Sequence, residues 1–367
     1  MTSDSQDGLE WDDSGLQLIP LWTRPESPCA VSFYASGAFN KLYLISTPGD
    51  NLLMRVSLPV YPSQKTLGEV ATLQWVHKNT EIPVPKVVAF DSTNKNEIGF
   101  EWILMQLVLG QPANKRWRKM TLTQKTSFVE DIAKYQAQLF SRRFTGIGTL
   151  HSEDVPGPVV SHEFFMGNRL PYDVPRGPFR CSHDWLESLL KLLISEQTDV
   201  ANKADDDDDR EDAMEILRTA EHLLSLLPKI FEPSDHESTV LWHDDLNLSN
   251  ILVNDAGVIT AIVDWECVSA LPLWMATKLP AFVRDGAREE EPQRDEYGNE
   301  DEDPEFVSAE LDNEGKNELY WIHQMEYDVT QLKKVYRAAF PLEENDMKQD
   351  FYEALLQCNA GLWIKKI

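Results

Sequence analysis

The sequence has little of what would mark a secreted, membrane-spanning or nucleic-acid-binding protein. Cysteine is scarce: Cys29, Cys181, Cys267 and Cys358 stand far apart and form no Cys-x-x-Cys pair. That excludes a disulfide framework or a zinc site and fits reduced thiols in an intracellular, cytoplasmic protein. No apolar run approaches the ~18 residues that a membrane span needs. Basic residues are outnumbered, 34 Lys and Arg against 61 Asp and Glu, for a formal charge of −27. A field of that sign repels nucleic acid and anionic membrane. The polar, acidic start from Met1 to Asp7 matches neither a secretory signal nor a transit peptide. Glycine is sparse as well, and Gly146-Ile147-Gly148 lacks the third glycine and the strand context of a dinucleotide loop. No internal repeat is present, and the five aspartates from Asp205 to Asp209 lack the spacing of a calcium loop.

What is present is enough to build a large core. The 367 residues are 42% hydrophobic and include eleven Trp, which suits one two-lobed unit or two domains. Residues 1–29 read as a polar lead-in with contacts around Trp11 and Trp22. Val31 to Ile45 reads as strand, turn, strand, with Ser36-Gly37-Ala38 as a small-residue turn whose backbone N–H groups could approach a phosphate. Taken alone, an ordinary hairpin turn explains it equally well. Leu52 to Leu58 is a third strand carrying Arg55, and Lys65 to Lys78 is helical with Glu69 beside its apolar positions. A strand cation and a helix acid in that order can pair and hold nucleotide phosphates. Glu101 to Gly110 is an apolar strand. In a two-lobed kinase such a segment crosses between lobes and offers the backbone of Gln106 and Val108 to an adenine edge.

Helical stripes follow at Phe128, Ile132, Tyr135 and Leu139, over Trp185 to Ile194, and at Ala213, Leu217, Ala220, Leu224 and Leu227. The intervening 204–212 reads as a flexible acidic loop, with the next helix capped near Asp212. Residues 285–318 read as a loosely held acidic insertion. Tyr320 to Phe340 and Lys348 to Trp363 read as closing helices.

The chemistry concentrates in His243-Asp244-Asp245-Leu246, Asn250-Ile251-Leu252-Val253 and Asp264-Trp265-Glu266. A turn at Asn254–Gly257 joins two apolar runs, so a loop carrying Asp245 and Asn250 leads into a hairpin that ends at Asp264. Asp245 can take a proton from a hydroxyl, while Asn250 and Asp264 can supply oxygens to Mg²⁺ on nucleotide phosphates. Each piece alone is a common loop feature. Their order and the strands that force them together carry the reading.

These motifs, with Met54-Arg55-Val56-Ser57, Glu69-Val70-Ala71-Thr72-Leu73, Ile82-Pro83-Val84-Pro85 and Gly99-Phe100-Glu101-Trp102, resemble the aminoglycoside phosphotransferase family of small-molecule kinases, in its fungal branch, over residues 30 to 275. The resemblance implies an α+β, two-lobed protein-kinase-like fold. A small β-rich N-lobe (30–108) would bind nucleotide, and a larger, mainly helical C-lobe (109–367) would bind the acceptor. It implies ATP and Mg²⁺ as cofactors and a small-molecule acceptor as partner. Asp245 would be the catalytic base or orienting group, Asn250 and Asp264 the metal ligands, and Ser36, Gly37, Arg55, Glu69, Gln106 and Val108 the nucleotide contacts. His243 would hold the loop. Two departures stand out: Arg55 where lysine is usual, and a single glycine in the phosphate turn. The first expectation is therefore ATP-dependent transfer to a hydroxyl. The alternative, motivated by Arg55, is a pseudokinase that binds nucleotide without turnover. A protein kinase is the weaker third, because no Ala-Pro-Glu follows Asp264. No feature names a protein partner.

Overall fold

The computed structural model describes residues 29–49, 51–152, 154–284, 286, 288–297, 318–341 and 345–360. The lead-in with Trp11 and Trp22, most of the acidic insertion and the helix end at Trp363 lie outside the described residues. The first lobe is an antiparallel sheet. Strands β1 (Ala30–Ser36), β2 (Asn40–Ser46) and β3 (Asn51–Ser57) follow each other through short turns, then come helix α1 (Gln64–Asn79), β4 (Val87–Asp91) and β5 (Glu101–Gln106). The sheet order is β1-β2-β3-β5-β4. Its register sets Arg55 between Leu42 of β2 and Ile103 of β5, at the centre of the lobe.

Helix α1 buries Val70, Leu73 and Val76 along one face. A β-carbon on its Gly68 would lie 2.4 Å from the Thr149 side chain, so only glycine lets the helix sit this close to the second lobe. The helix stops at Thr80, just before Ile82-Pro83-Val84-Pro85. Proline there denies helical geometry to the residue before it.

The second lobe contains β6 (Gln111–Pro112), α2 (Leu122–Phe140), β7 (Phe144–Thr145), β8 (Gly148–Ser152), β9 (Val155–Pro156), α3 (His162–Phe165), α4 (Ser182–Lys203), α5 (Asp207–Ile230), β10 (Ser238–Trp242), β11 (Ile251–Val253), β12 (Ile259–Ile262), β13 (Ser269–Pro272), α6 (Glu318–Ala339) and α7 (Asp346–Ala360). Two small sheets, ordered β7-β10-β13-β8-β9 and β12-β11-β6, carry the loops of interest. Thr121 and Gln124 form a reciprocal cap at the start of α2. One apolar core joins Leu73 of α1 to Phe128 and Ile132 of α2, Trp265 and Leu332 of α6; another packs Leu186 and Leu190 of α4 against Leu223 and Leu227 of α5 and Phe351 of α7.

One expectation is corrected. Residues 204–212 are not a flexible acidic loop: α4 runs to Lys203, and α5 already begins at Asp207. Asp206, not a residue near Asp212, caps it, accepting the Asp208 N–H at 3.1 Å. Asp207, Asp208 and Asp209 occupy the first turn, where carboxylates complement the helix dipole.

Candidate active site

The site is assembled from the loop after β10 and the turn after β12. His243 is buried, its Nε2 lies 3.2 Å from the Val263 carbonyl, and its ring meets Trp265 edge-on at 4.9 Å. Burial pushes its pKa down, so a neutral imidazole ties the loop to the β12 side, in keeping with a structural part. The Val263 N–H donates to the Asn250 carbonyl at 2.9 Å, a second tie. Both Asp245 carboxylate oxygens are held: Asn247 Nδ2 donates to one at 2.8 Å and Asn250 Nδ2 to the other at 2.9 Å. Asp264 has φ 65°, a left-handed conformation that costs a non-glycine roughly 1–2 kcal/mol and is tolerated best by Asp and Asn. It turns the chain sharply as β12 ends.

Two cavities flank this loop. The larger, about 580 Å³, lies between the lobes, and Gly37, Arg55, Glu69, Gln106, Val108, Asn250 and Asp264 all contribute to its wall. Ser36 is not among the lining residues; it is exposed, and its hydroxyl donates to the Gly37 carbonyl. The smaller cavity, about 230 Å³, is lined by Asp244 and Asp245 with Glu163, Lys278, Arg284 and Tyr352. The Asp245–Asn250 hydrogen bond therefore joins a residue of one cavity to a residue of the other.

Behind the larger cavity sits a charge network that the sequence motifs anticipated only in part. Arg55 pairs with Glu69 at 2.5 Å and with Asp264 at 3.3 Å, as a strand cation and helix acid should. It also contacts Glu266, which in turn takes Lys65 Nζ at 2.5 Å and Asn40 Nδ2 at 3.0 Å. Asn40 Oδ1 accepts from Lys65 at 3.0 Å and from Ser57 at 2.7 Å. Glu266, Lys65 and Asn40 escaped the sequence reading. The available signals were an acid two residues beyond Asp264 and a lysine opening α1.

Three carboxylates here share two cations, and two of them, Glu69 and Glu266, are driven in opposite directions. Burial pushes Glu69 up to about 7, with Arg55 pulling it only part of the way back. Burial also acts on Glu266, but Arg55 and Lys65 together more than reverse it, and its carboxyl falls to about 2. Burial works against the Arg55 cation, yet Glu266, Glu69 and Asp264 outweigh it and hold the guanidinium firmly charged. Arg55 Nε and Glu69 Oε2 are buried without hydrogen-bond partners, so this wall keeps donor and acceptor capacity in reserve.

Among the described residues no group of three or more His, Cys, Asp or Glu forms a metal cage. Mg²⁺ brought by a nucleotide needs only one or two protein oxygens besides phosphate and water. Asp264, 41% exposed, and Asn250, whose Nδ2 is committed to Asp245, offer that kind of donor on the large-cavity side.

The fold is a two-lobed, kinase-like α+β architecture, and a model of the phosphotransferase enzyme family, APH, matches residues 30–275. The chain belongs to that family. It is 28% identical over 309 residues to a subtelomeric hrmA-associated cluster protein of Aspergillus fumigatus, covering 69% of this chain and 60% of the relative. It is 23% identical to the yeast protein "Altered inheritance of mitochondria protein 9, mitochondrial" of Meyerozyma guilliermondii, covering 75% of this chain and 53% of that one. The chain thus spans little more than half the length of these relatives. A crystal structure of a candidate aminoglycoside phosphotransferase from Ralstonia eutropha superposes with TM-score 0.50 at 15% identity, over 96% of this chain and 88% of that one. Among the described residues no helix is long and apolar enough to cross a membrane.

Proposed function

We propose that the protein is an ATP- and Mg²⁺-dependent phosphotransferase that moves the γ-phosphoryl group to a hydroxyl of a small-molecule acceptor. The observation that carries this is the Asp245–Asn250 bond at 2.9 Å, one partner lining each cavity. Nucleotide would occupy the larger space, with Gln106 and Val108 at the adenine end and Gly37 and the Arg55–Glu69 pair at the phosphates. Asn250 and Asp264 would hold Mg²⁺, which neutralises phosphate charge during transfer. Asp245, fixed by two amides, orients the acceptor hydroxyl and takes its proton as the new P–O bond forms and ADP leaves. Positioning and charge neutralisation supply the rate; no covalent intermediate is needed.

A second reading, a nucleotide-binding pseudokinase, is favoured by one observation: Arg55 reaches Asp264 at 3.3 Å, and so competes with a cation for that carboxylate. Melting the protein with ATP, with and without Mg²⁺, in wild type and Asp264→Ala decides between them. A Mg²⁺-dependent shift lost in the variant supports the enzyme; a shift indifferent to Mg²⁺ supports the pseudokinase. We further propose a cytoplasmic location from the four free thiols. The mitochondrial name of the yeast relative points elsewhere, and imaging a tagged full-length protein separates the two.

A further inference from the structure

The smaller cavity has a charge pattern that the phosphotransferase reading does not by itself require. Two carboxylates stand in its wall apart from Asp245: Asp244, on the loop itself, and Glu163, on the short helix α3. They share this lining with the buried Tyr352. Neither has a cationic partner among the described residues. Two cations line the same cavity, Lys278 and Arg284, from the segment after β13. Arg284 is exposed, donates one N–H to the Leu279 carbonyl at 3.0 Å and has no carboxylate partner among the described residues. Lys278 lies 5.5 Å over the Tyr352 ring and 3.5 Å from Glu353, whose side chain is 55% exposed. So exposed a contact holds the ammonium only loosely.

Charges of both signs thus line one small space beside Asp245, and they do not neutralise each other. The contrast with the larger cavity is sharp, since there Lys65, Arg55, Glu69 and Glu266 are all engaged with one another. At about 230 Å³ the space holds the volume of about eight waters, enough for a compact molecule with a handful of carbons. We propose that the acceptor is a small hydroxylated zwitterion, whose ammonium group is taken by Glu163 and Asp244 and whose acidic group is taken by Lys278 and Arg284. The hydroxyl then falls to Asp245.

This assignment rests on the phosphotransferase reading, but its test does not need turnover. Four five-carbon hydroxyl compounds that differ in charge serve as probes: pentanediol, aminopentanol, hydroxypentanoate and hydroxynorvaline. Their binding to the full chain is measured by calorimetry and melting without nucleotide. Hydroxynorvaline should bind tightest, roughly tenfold to a hundredfold over aminopentanol and over hydroxypentanoate, since each charged hydrogen bond carries about that factor. Replacing both cations, Lys278→Ala with Arg284→Ala, should bring it to the level of aminopentanol. Glu163→Gln together with Asp244→Asn, both nearly isosteric, should bring it to the level of hydroxypentanoate. Equal binding of aminopentanol and hydroxynorvaline, unchanged by the double variant, would overturn the proposal in favour of a purely cationic acceptor. Absence of binding by all four also overturns it. The melting shift with Mg²⁺ and ATP reports separately on the phosphotransferase reading, so failure of one is not mistaken for failure of the other.

Discussion

The two cavities on either side of Asp245 are built on opposite principles. On the large side each cation is held: Arg55 by Glu69, Asp264 and Glu266, and Lys65 by Glu266 and Asn40. On the small side Glu163, Asp244 and Arg284 face the space without an ionic partner among the described residues. A sealed network holds its geometry before any ligand arrives and suits a nucleotide common to many reactions. Open charges wait for a ligand that completes them, and they are where selectivity for an acceptor can be set. The difference teaches where to cut: the large side should respond to mutation in stability, the small side in substrate choice.

The strongest effect should come from the residue between them. Asp245→Ala is expected to lower transfer by at least the ~10²–10⁴-fold that a positioned base contributes, and to leave the nucleotide-dependent melting shift intact. Surviving transfer would break the comparison at its pivot. Next, Arg55→Ala strands Glu69 in the interior and leaves Glu266 with only Lys65 and Asn40. Removing one partner of a buried pair costs about 3–5 kcal/mol, to be read as a lower denaturant midpoint. A midpoint near wild type would mean that the network does not hold the lobe together. Asp264→Ala should abolish the Mg²⁺-dependent gain from ATP, about 2.7 kcal/mol at a hundredfold excess over the dissociation constant.

The large side was also the legible one. Arg55, Glu69, Asn250 and Asp264 sit on elements with clear periodicity and turn signals, so the succession of strands and helix was readable from pattern, and the family resemblance supplied the roles. Glu266 and Lys65 were harder because nothing local says that a lysine opening α1 will meet an acid two hundred residues away. Ser36 was read with Gly37 as a turn whose backbone N–H groups could approach a phosphate; Gly37 lines the cavity, and the Ser36 side chain at the end of β1 faces solvent. The small side was opaque. Gln136, Glu163 and Tyr352 come from three separate helices and Lys278 and Arg284 from the segment after β13; of this lining only Asp244 stands in a spaced motif, between His243 and Asp245. Only tertiary packing gathers them. The Asp205–Asp209 run misled for a different reason: composition suggested a solvated loop, while capping and the helix dipole favoured a helix start.

A pH titration sharpens the contrast further. Glu266 has its pKa lowered from 4.5 to about 2 in the folded state, so the unfolded chain binds the extra proton first as pH falls. Its stabilisation is complete above about 4.5 and is lost as pH drops toward about 2. A shift of that size corresponds to about 3 kcal/mol. Urea midpoints between those limits should fall in wild type, and the limb should flatten in Glu266→Gln. An unchanged slope in the variant would remove Glu266 from the account of acid sensitivity.

The smallest expected effect is informative because it is small. Arg284 is exposed and answers no carboxylate among the described residues, so Arg284→Ala should shift stability by no more than about 0.5 kcal/mol, as surface substitutions do. Set beside Arg55→Ala, this pits two arginines of one chain against each other, one locked by three carboxylates and one facing an open cavity. If Arg284→Ala destabilised the fold as Arg55→Ala does, the small cavity would also be a structural network. Its open charges could then no longer be assigned to a ligand. A near-zero change, with altered preference among the charged probes, would leave recognition as the work of Arg284.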